Sequence, residues 1–533
     1  MADTHIQTYD CTLRDGEQSE GISLSLADKL AIAKELDNFG IDYIEGGYPA
    51  SNPKDQNFFA RIHEEKLKHS KMIAFGMTCK KEMAPKDDAQ LNLLLNTPCY
   101  GVALVGKVWD MHVTKTLETT LEDNLRMIGE SIAYAKSFNK WVAFDAEHFF
   151  DGYKSNSQYA ISCIDHAIKA GVDSIVLCDT NGGCLPSEIS KIVEEVCSTF
   201  SSASFGIHCH NDSGCAVANT ISAVQSGVSQ VQGTICGVGE RVGNCDLLVG
   251  IANLELKLGL NCVGPEKLSR LHSLAQYISL ILNTRISSHY PYIGNSAFAH
   301  KGGLHASAIS KFQNAYEHIN PSLVGNNPRV LVSELSGRAS LISKAKSLGF
   351  NLENEPEILD KALGKIKELE HTGYSFESAD GSLSVFLMEV SGIFRPHFTM
   401  ESYRVIVDDY SYNSSKITAA LSEATIKLHV NDKRFVATGE GRGPVGALDT
   451  ALRKALGRSY PQLCEIELVD FKVRLLDESV GTAAVTRVAI TTRDKFGSWG
   501  TIGVSENIIE AAWHALVDSI EYGLYRFENK NQK

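Results

Sequence analysis

The chain has 533 residues, 43% of them hydrophobic and 22% charged, with 13 prolines and a formal net charge of −13 at pH 7. That length exceeds one ordinary core and predicts two or three domains, and the composition excludes a largely disordered protein. The acidic balance argues against nucleic acid as a partner, and no apolar run approaches the ~18 residues of a membrane span or forms a signal peptide. The 13 cysteines, an odd number spread singly with no Cys-x-x-Cys pair, fit reduced thiols and a cytoplasmic location.

Through residue 260, short β-branched or aliphatic runs alternate with amphipathic helical stretches, the pattern of a parallel sheet wrapped by helices. Eight strands are predicted near residues 6–9, 43–45, 72–75, 101–105, 141–144, 174–177, 204–208 and 230–235. Helical periodicity lies between them over 26–39, 117–138, 157–170, 186–200, 215–226 and 245–258. Eight such units in ~260 residues predict an α/β fold, a (β/α)8 TIM barrel, whose active site is built on the loops that follow the strands.

The polar candidates fall in those loops: Arg14 and Asp15 after the first strand, Glu147 after the fifth, Asp179 and Thr180 after the sixth, His208 and His210 ending the seventh, Glu240 and Asn244 after the eighth. In the run Gly206-Ile-His-Cys-His-Asn-Asp212, strand alternation turns both imidazoles to one face, which suits a metal ion. Asp15 adds a hard oxygen. This mixed set holds Mg²⁺, Mn²⁺, Co²⁺ or Zn²⁺ and leaves positions open for a chelating 2-oxo acid. Arg14 beside it can stabilise the alkoxide formed when a nucleophile attacks the ketone. The bland alternatives are ordinary hydrogen-bonded strand histidines and a surface Arg-Asp pair at a strand end. The glycine-rich run 237–245 has the wrong spacing for a dinucleotide loop. It reads either as a turn or as the carrier of Asn244, a ligand or its partner, and of Glu240, an orienter of the metal site. Thr180 is either a turn hydroxyl or a holder of a substrate carboxylate.

From about residue 262 to 380, helical stretches at 268–283 and 356–370 flank a Gly- and His-rich run at 299–306, a linker expected to reach back over the barrel mouth. His305 follows two glycines that permit close approach to a ligand. The last ~150 residues read as a separate α+β unit with an internal repeat. In it a strand pair is followed by a helix twice, at 424–438 with 446–456 and at 483–492 with 507–522. The predicted domains are a catalytic barrel over 1–262, helical linker and lid subdomains over 263–382, and a regulatory dimer domain over 383–533 with this ββα-type repeat.

Three runs carry a family likeness: Asp10-Cys-Thr-Leu-Arg-Asp-Gly-Glu-Gln18, His208-Cys-His-Asn-Asp212 and Gly237-Val-Gly-Glu-Arg-Val-Gly-Asn244. With them the chain resembles, over nearly its full length, the α-isopropylmalate, homocitrate and citramalate synthases of the DRE-TIM metallolyase superfamily. The resemblance implies that Asp15, His208 and His210 are metal ligands, with Asn244 in or beside the shell. It further implies Arg14 as activator of the keto oxygen, Thr180 as a keto-acid contact and Glu147 as a catalytic residue on the acetyl-CoA side. Glu240, His305 and Tyr316 become a base system borne on the lid. Runs 146–154, 177–183, 296–303 and 316–321 resemble the long bacterial, citramalate-forming branch, and 443–453 resembles the regulatory dimer domain that binds the end product. Some isopropylmalate synthases carry a histidine near Leu104; an apolar wall here would suit the methyl group of pyruvate.

The implied reaction is a metal-dependent Claisen condensation of acetyl-CoA with pyruvate followed by thioester hydrolysis. This makes the chain an acyltransferase at the first step of the pyruvate route to isoleucine, in a homodimer inhibited by isoleucine. Condensation with 2-oxoisovalerate is the alternative. A metal-dependent carbon-carbon lyase or aldolase is opposed by the long C-terminal unit and the His305 segment, and a silent amino-acid sensor by the intact Arg14, Asp15, His208 and His210.

Overall fold

The computed structural model describes residues 5–300, 312, 316–330, 338–408, 421–476 and 484–530. Strands β1 (Gln7–Asp10), β2 (Tyr43–Glu45), β3 (Lys71–Met77), β4 (Gly101–Lys107), β5 (Trp141–Glu147), β6 (Ser174–Asp179), β7 (Phe205–Cys209) and β8 (Gln230–Gly233) form a closed parallel barrel. Closure runs through β1, which pairs with β2 on one side and with β8 on the other, Asp10 opposite Gly233. The expected (β/α)8 barrel is therefore present.

Alternation along these short strands makes two cores. Inside the barrel, Tyr9, Cys11, Tyr43, Ile73, Ala103 and Ala143 pack together, with Tyr43 stacked on Trp141 at 4.8 Å between centroids. Outside it, alternate residues such as Ile44, Val102, Leu104, Phe144 and Ile207 pack against the helices. Local signals set those helices. Ser25 and Asp28 form a reciprocal capping box at the start of helix Leu26–Phe39, which ends on Gly40 at φ 93°. Each short strand thus carries one side chain into the lumen and the next into the helical shell, and its last inward residue opens onto the loops.

The outer core does not stop at residue 262. Leu271, Leu274 and Ile278 of helix Leu271–Ile281, then Tyr292, Ile293, Phe298 and Val324, join the same buried cluster. The first compact unit accordingly runs to Phe298 and takes in His318–Asn327. The boundary expected at 262 falls too early, because the apolar stripe of that helix is buried on the barrel.

In the second unit, a two-residue parallel pairing of β9 (Ala299–His300) with β10 (Arg329–Val330) precedes helices Arg338–Ser347, Pro356–His371 and Asp380–Val390. These helices share a core that includes Leu341, Leu359, Ile366, Leu383 and Leu387. Two antiparallel three-stranded sheets follow, β11 (Thr399–Asp408), β12 (Leu421–Val430), β13 (Lys433–Gly441) and β14 (Glu467–Leu475), β15 (Thr486–Asp494), β16 (Gly497–Ser505). Helix Pro444–Leu456 succeeds the first sheet and helix Ile508–Lys530 the second. The repeat is therefore βββα, not the expected ββα. The first expected copy, 424–438, leaves out β11, and the second, 483–492, overlaps only β15 and leaves out β14 and β16; none of the residues of β14 is fully buried.

Candidate active site

Asp15 lies one turn beyond β1, while His208 and His210 lie at the end of β7, where alternation sends both imidazoles into the barrel mouth. His208 Nε2 is 3.9 Å and His210 Nε2 3.7 Å from Asp15 Oδ2. Among the described residues they are the one group of three His, Cys, Asp or Glu side chains whose ligand atoms all fall within 4.8 Å of one another. All three are buried.

The protonation states suit a cation. Burial, then the neighbouring His210, pushes His208 down to about 3, and burial lowers His210 as well. Burial also opposes ionisation of Asp15, but Arg14, with both histidines, overcomes it and holds the carboxyl well below its usual range. Gln232 Oε1 lies 3.1 Å from His208 Nδ1. An amide oxygen only accepts, so the ring proton is on Nδ1 and the Nε2 lone pair faces the carboxylate. Asn244 donates Nδ2 to Asp15 Oδ1 at 2.7 Å, while its own Oδ1 is buried without a hydrogen-bond partner among the described residues. A carboxylate, imidazole nitrogens and an orphaned amide oxygen converging in a buried mouth fit a divalent cation.

The glycine-rich run forms the wall behind these groups. Gly239 has φ 157°, and a Cβ there would collide with Asn244 Nδ2 and press on Asp15 Oδ1. Arg241 grips Asp212 through two hydrogen bonds of 2.8 Å and donates to Thr180 O at 2.7 Å, tying the loops after β6, β7 and β8 together. Glu240 touches the site through its backbone, its N–H 3.5 Å from Asp15 Oδ1, whereas its carboxylate is exposed near Arg241. The orienting role expected of that carboxylate is therefore not seen.

Arg14 donates Nη1 to Asp15 at 2.8 Å and Nε to Glu45 at 2.5 Å, with its guanidinium 4.3 Å from the centre of the Phe75 ring. Glu45 is fully buried at the end of β2 and also accepts the Tyr9 hydroxyl at 2.8 Å. Sequence reasoning missed Glu45 and Tyr9. A carboxylate closing the three-residue strand Tyr43–Glu45 was a visible signal, but its partner thirty-one residues upstream was not. Asp145, one pleat before Glu147, is a second overlooked acid. Burial and then Glu45 push it up to about 8, and the Arg14 guanidinium only partly offsets them.

The chain matches the HMGL-like family model over residues 5–278, the homocitrate synthase post-HMGL domain-like model over 292–373, and the LeuA allosteric (dimerisation) domain over 377–524. It is 48% identical to the (R)-citramalate synthase of Aquifex aeolicus, across 98% of this chain and 99% of that one. The chain belongs to the (R)-citramalate synthase family. The enzyme of that name from Geobacter sulfurreducens is 46% identical over 98% of both chains, whereas a 2-isopropylmalate synthase from Pseudoalteromonas atlantica is 29% identical over 96% of this chain and 94% of its own.

The remaining expected site residues divide. Glu147 ends β5 on the lumen side in an ion pair with Lys107. Thr180 Oγ1 accepts the His148 backbone N–H at 2.8 Å, which leaves the hydroxyl proton free to be donated onward. His148 takes φ 56°, a left-handed conformation, and its ring lies 3.2 Å from Asp151. Leu104 is a correction. It is fully buried in the outer core, because the pleat of β4 sends it toward the helices, and in register it pairs with Phe144 of that same face. It cannot wall the lumen; the neighbouring position, Val105, pairs with Asp145 instead. Tyr316 is half exposed in the second compact unit, and His305 lies outside the described residues.

Proposed function

We propose that this member of the (R)-citramalate synthase family condenses acetyl-CoA with pyruvate and hydrolyses the resulting thioester to (R)-citramalate and free CoA. Full-length identity of 48% to an (R)-citramalate synthase is the observation that carries the reading. The converging Asp15, His208 and His210 support metal dependence. These three, with Asn244 Oδ1, would hold the divalent cation, Mg²⁺, Mn²⁺, Co²⁺ or Zn²⁺. When bound it polarises the ketone and orients the 2-oxo acid.

The chain's own groups do the rest. Thr180 donates its hydroxyl to the pyruvate carboxylate. Arg14, held by Glu45 and Asp15, donates to the ketone oxygen as that oxygen gains negative charge. Glu147 acts on the acetyl-CoA side. A base system of His305, Tyr316 and Glu240 takes an α-proton from the acetyl group; the resulting enolate carbon bonds to C2 of pyruvate as the C=O π pair moves to oxygen, and the alkoxide takes up a proton. Water then cleaves the thioester, releasing the CoA thiol. The roles of Glu147 and of the base system rest on the family resemblance. Isoleucine is the proposed effector at the C-terminal domain of a homodimer, supported by the match to an allosteric dimerisation domain. A cytoplasmic setting agrees with thirteen unpaired cysteines, and no helix among the described residues is long and apolar enough to cross a membrane.

The test is thiol release from acetyl-CoA by purified protein with Mn²⁺ and a panel of 2-oxo acids. Pyruvate is expected to exceed 2-oxoisovalerate in kcat/KM by roughly 10-fold or more, the discrimination that a few methylene groups permit. Faster turnover with 2-oxoisovalerate would assign the chain to isopropylmalate synthesis instead.

A further inference from the structure

His148 links β5 to the short helix Phe149–Ser155 at φ 56° and ψ 32°, a left-handed conformation that is uncommon outside glycine and collects at functional sites. Its backbone N–H goes to Thr180 Oγ1, which places it beside the hydroxyl assigned to the substrate carboxylate. The side chain is fixed from two sides. Its ring centre lies 4.3 Å from that of His112, edge to face, and His112 stacks on Trp109 at 4.9 Å. Its Nδ1 lies 3.2 Å from Asp151 Oδ2, the oxygen to which Asn181 donates Nδ2 at 3.0 Å. The His148 hydrogen bond holds the Asp151 carboxyl below its usual range, so that oxygen accepts. The ring proton is therefore on Nδ1 and the lone pair on Nε2.

An imidazole oriented by a carboxylate at one nitrogen, with a lone pair on the other, is the arrangement of a general base. Condensation is followed by thioester hydrolysis, and that second step needs a base for water. Other groups at the mouth are engaged: His208 and His210 turn Nε2 toward Asp15, and Glu147 is paired with Lys107. We propose that His148 is the catalytic base of the hydrolytic step and Asp151 its positioning residue, an inference that rests on the reading that this site forms and cleaves an acyl-CoA thioester. His148 Nε2 takes a proton from water, the hydroxide oxygen bonds to the thioester carbonyl carbon, and the C=O π pair moves to oxygen. Return of that pair breaks the C–S bond, and the proton passes from Nε2 to the departing CoA thiolate.

Acid-quenched turnovers of the full-length chain, with Mn²⁺ and whichever 2-oxo acid the parent turns over fastest, separate the two steps. Free thiol reports hydrolysis, and mass spectrometry of the acyl-CoA species reports condensation. His148→Asn keeps the backbone N–H for Thr180 and tolerates the left-handed turn, but lacks the base. It is expected to slow thiol release by about 10²-fold or more while the condensed thioester accumulates. Asp151→Asn is expected to slow release by about tenfold or more with the same accumulation, because the ring loses the carboxylate that sets its tautomer. Parent-rate thiol release in His148→Asn, or a slower release with no condensed thioester, would overturn the proposal. If His148→Asn lowers the melting temperature, Asp151→Asn decides, and parent behaviour in that variant would overturn it. Since any 2-oxo acid serves, a preference for one other than pyruvate counts against the substrate reading and leaves this test intact.

Discussion

His208→Ala is expected to lower thiol release from acetyl-CoA and pyruvate by at least ~10³-fold, since losing the cation removes several kcal/mol of charge stabilisation. The structure explains why one ring matters so much. His208 is locked by Gln232 in the tautomer that aims Nε2 at Asp15, so alanine removes a ligand that no neighbour replaces. Alanine at a buried strand end also leaves a cavity. The measurement therefore includes circular dichroism and thermal melting, both expected to stay close to the parent. A variant that keeps a tenth or more of the parent rate would show that His208 does not hold an essential cation.

Arg14→Lys is expected to reduce kcat by about 10²- to 10³-fold while changing the KM for pyruvate much less. A lysine keeps the positive charge but not the planar fork. It cannot donate to Glu45 and Asp15 and also face the ketone oxygen while lying over Phe75. Steady-state kinetics separate the two parameters. A rise in KM at constant kcat would make Arg14 a binding residue and not a stabiliser of developing charge.

The metal-binding half of the site was legible in the amino-acid sequence because it depends on the two simplest periodicities. A His-x-His pair at a strand end faces one way whatever the tertiary packing, and a charged cluster directly after an apolar run lies at a barrel mouth once eight such units are counted. Register and pleat parity were not legible. Leu104 looks like a wall residue until β4 is seen pairing Ala103 with Ala143 in the lumen and Leu104 with Phe144 outside it. Glu45 depends on the same kind of information, since only the β1–β2 pairing brings it beside Arg14 and Tyr9. The apolar stripe of helix Leu271–Ile281 was equally visible, yet nothing in the stripe names the surface it covers, so the barrel unit extends beyond its expected end. Strands β11, β14 and β16 escaped, although β14 alternates from Phe471 to Leu475, because the partner that an edge strand pairs with is not written in its own residues.

Each of these readings returns to one carboxylate and two neutral imidazoles sharing a cation. The direct measurement is an electron paramagnetic resonance titration of the chelator-treated full-length chain with Mn²⁺, alone and with pyruvate, in parallel with Asp15→Asn. One bound ion per chain whose spectrum changes when pyruvate is added, with affinity lower by about 10- to 100-fold or more in Asp15→Asn, is the predicted result. Equal Mn²⁺ binding by the parent and by Asp15→Asn would contradict it.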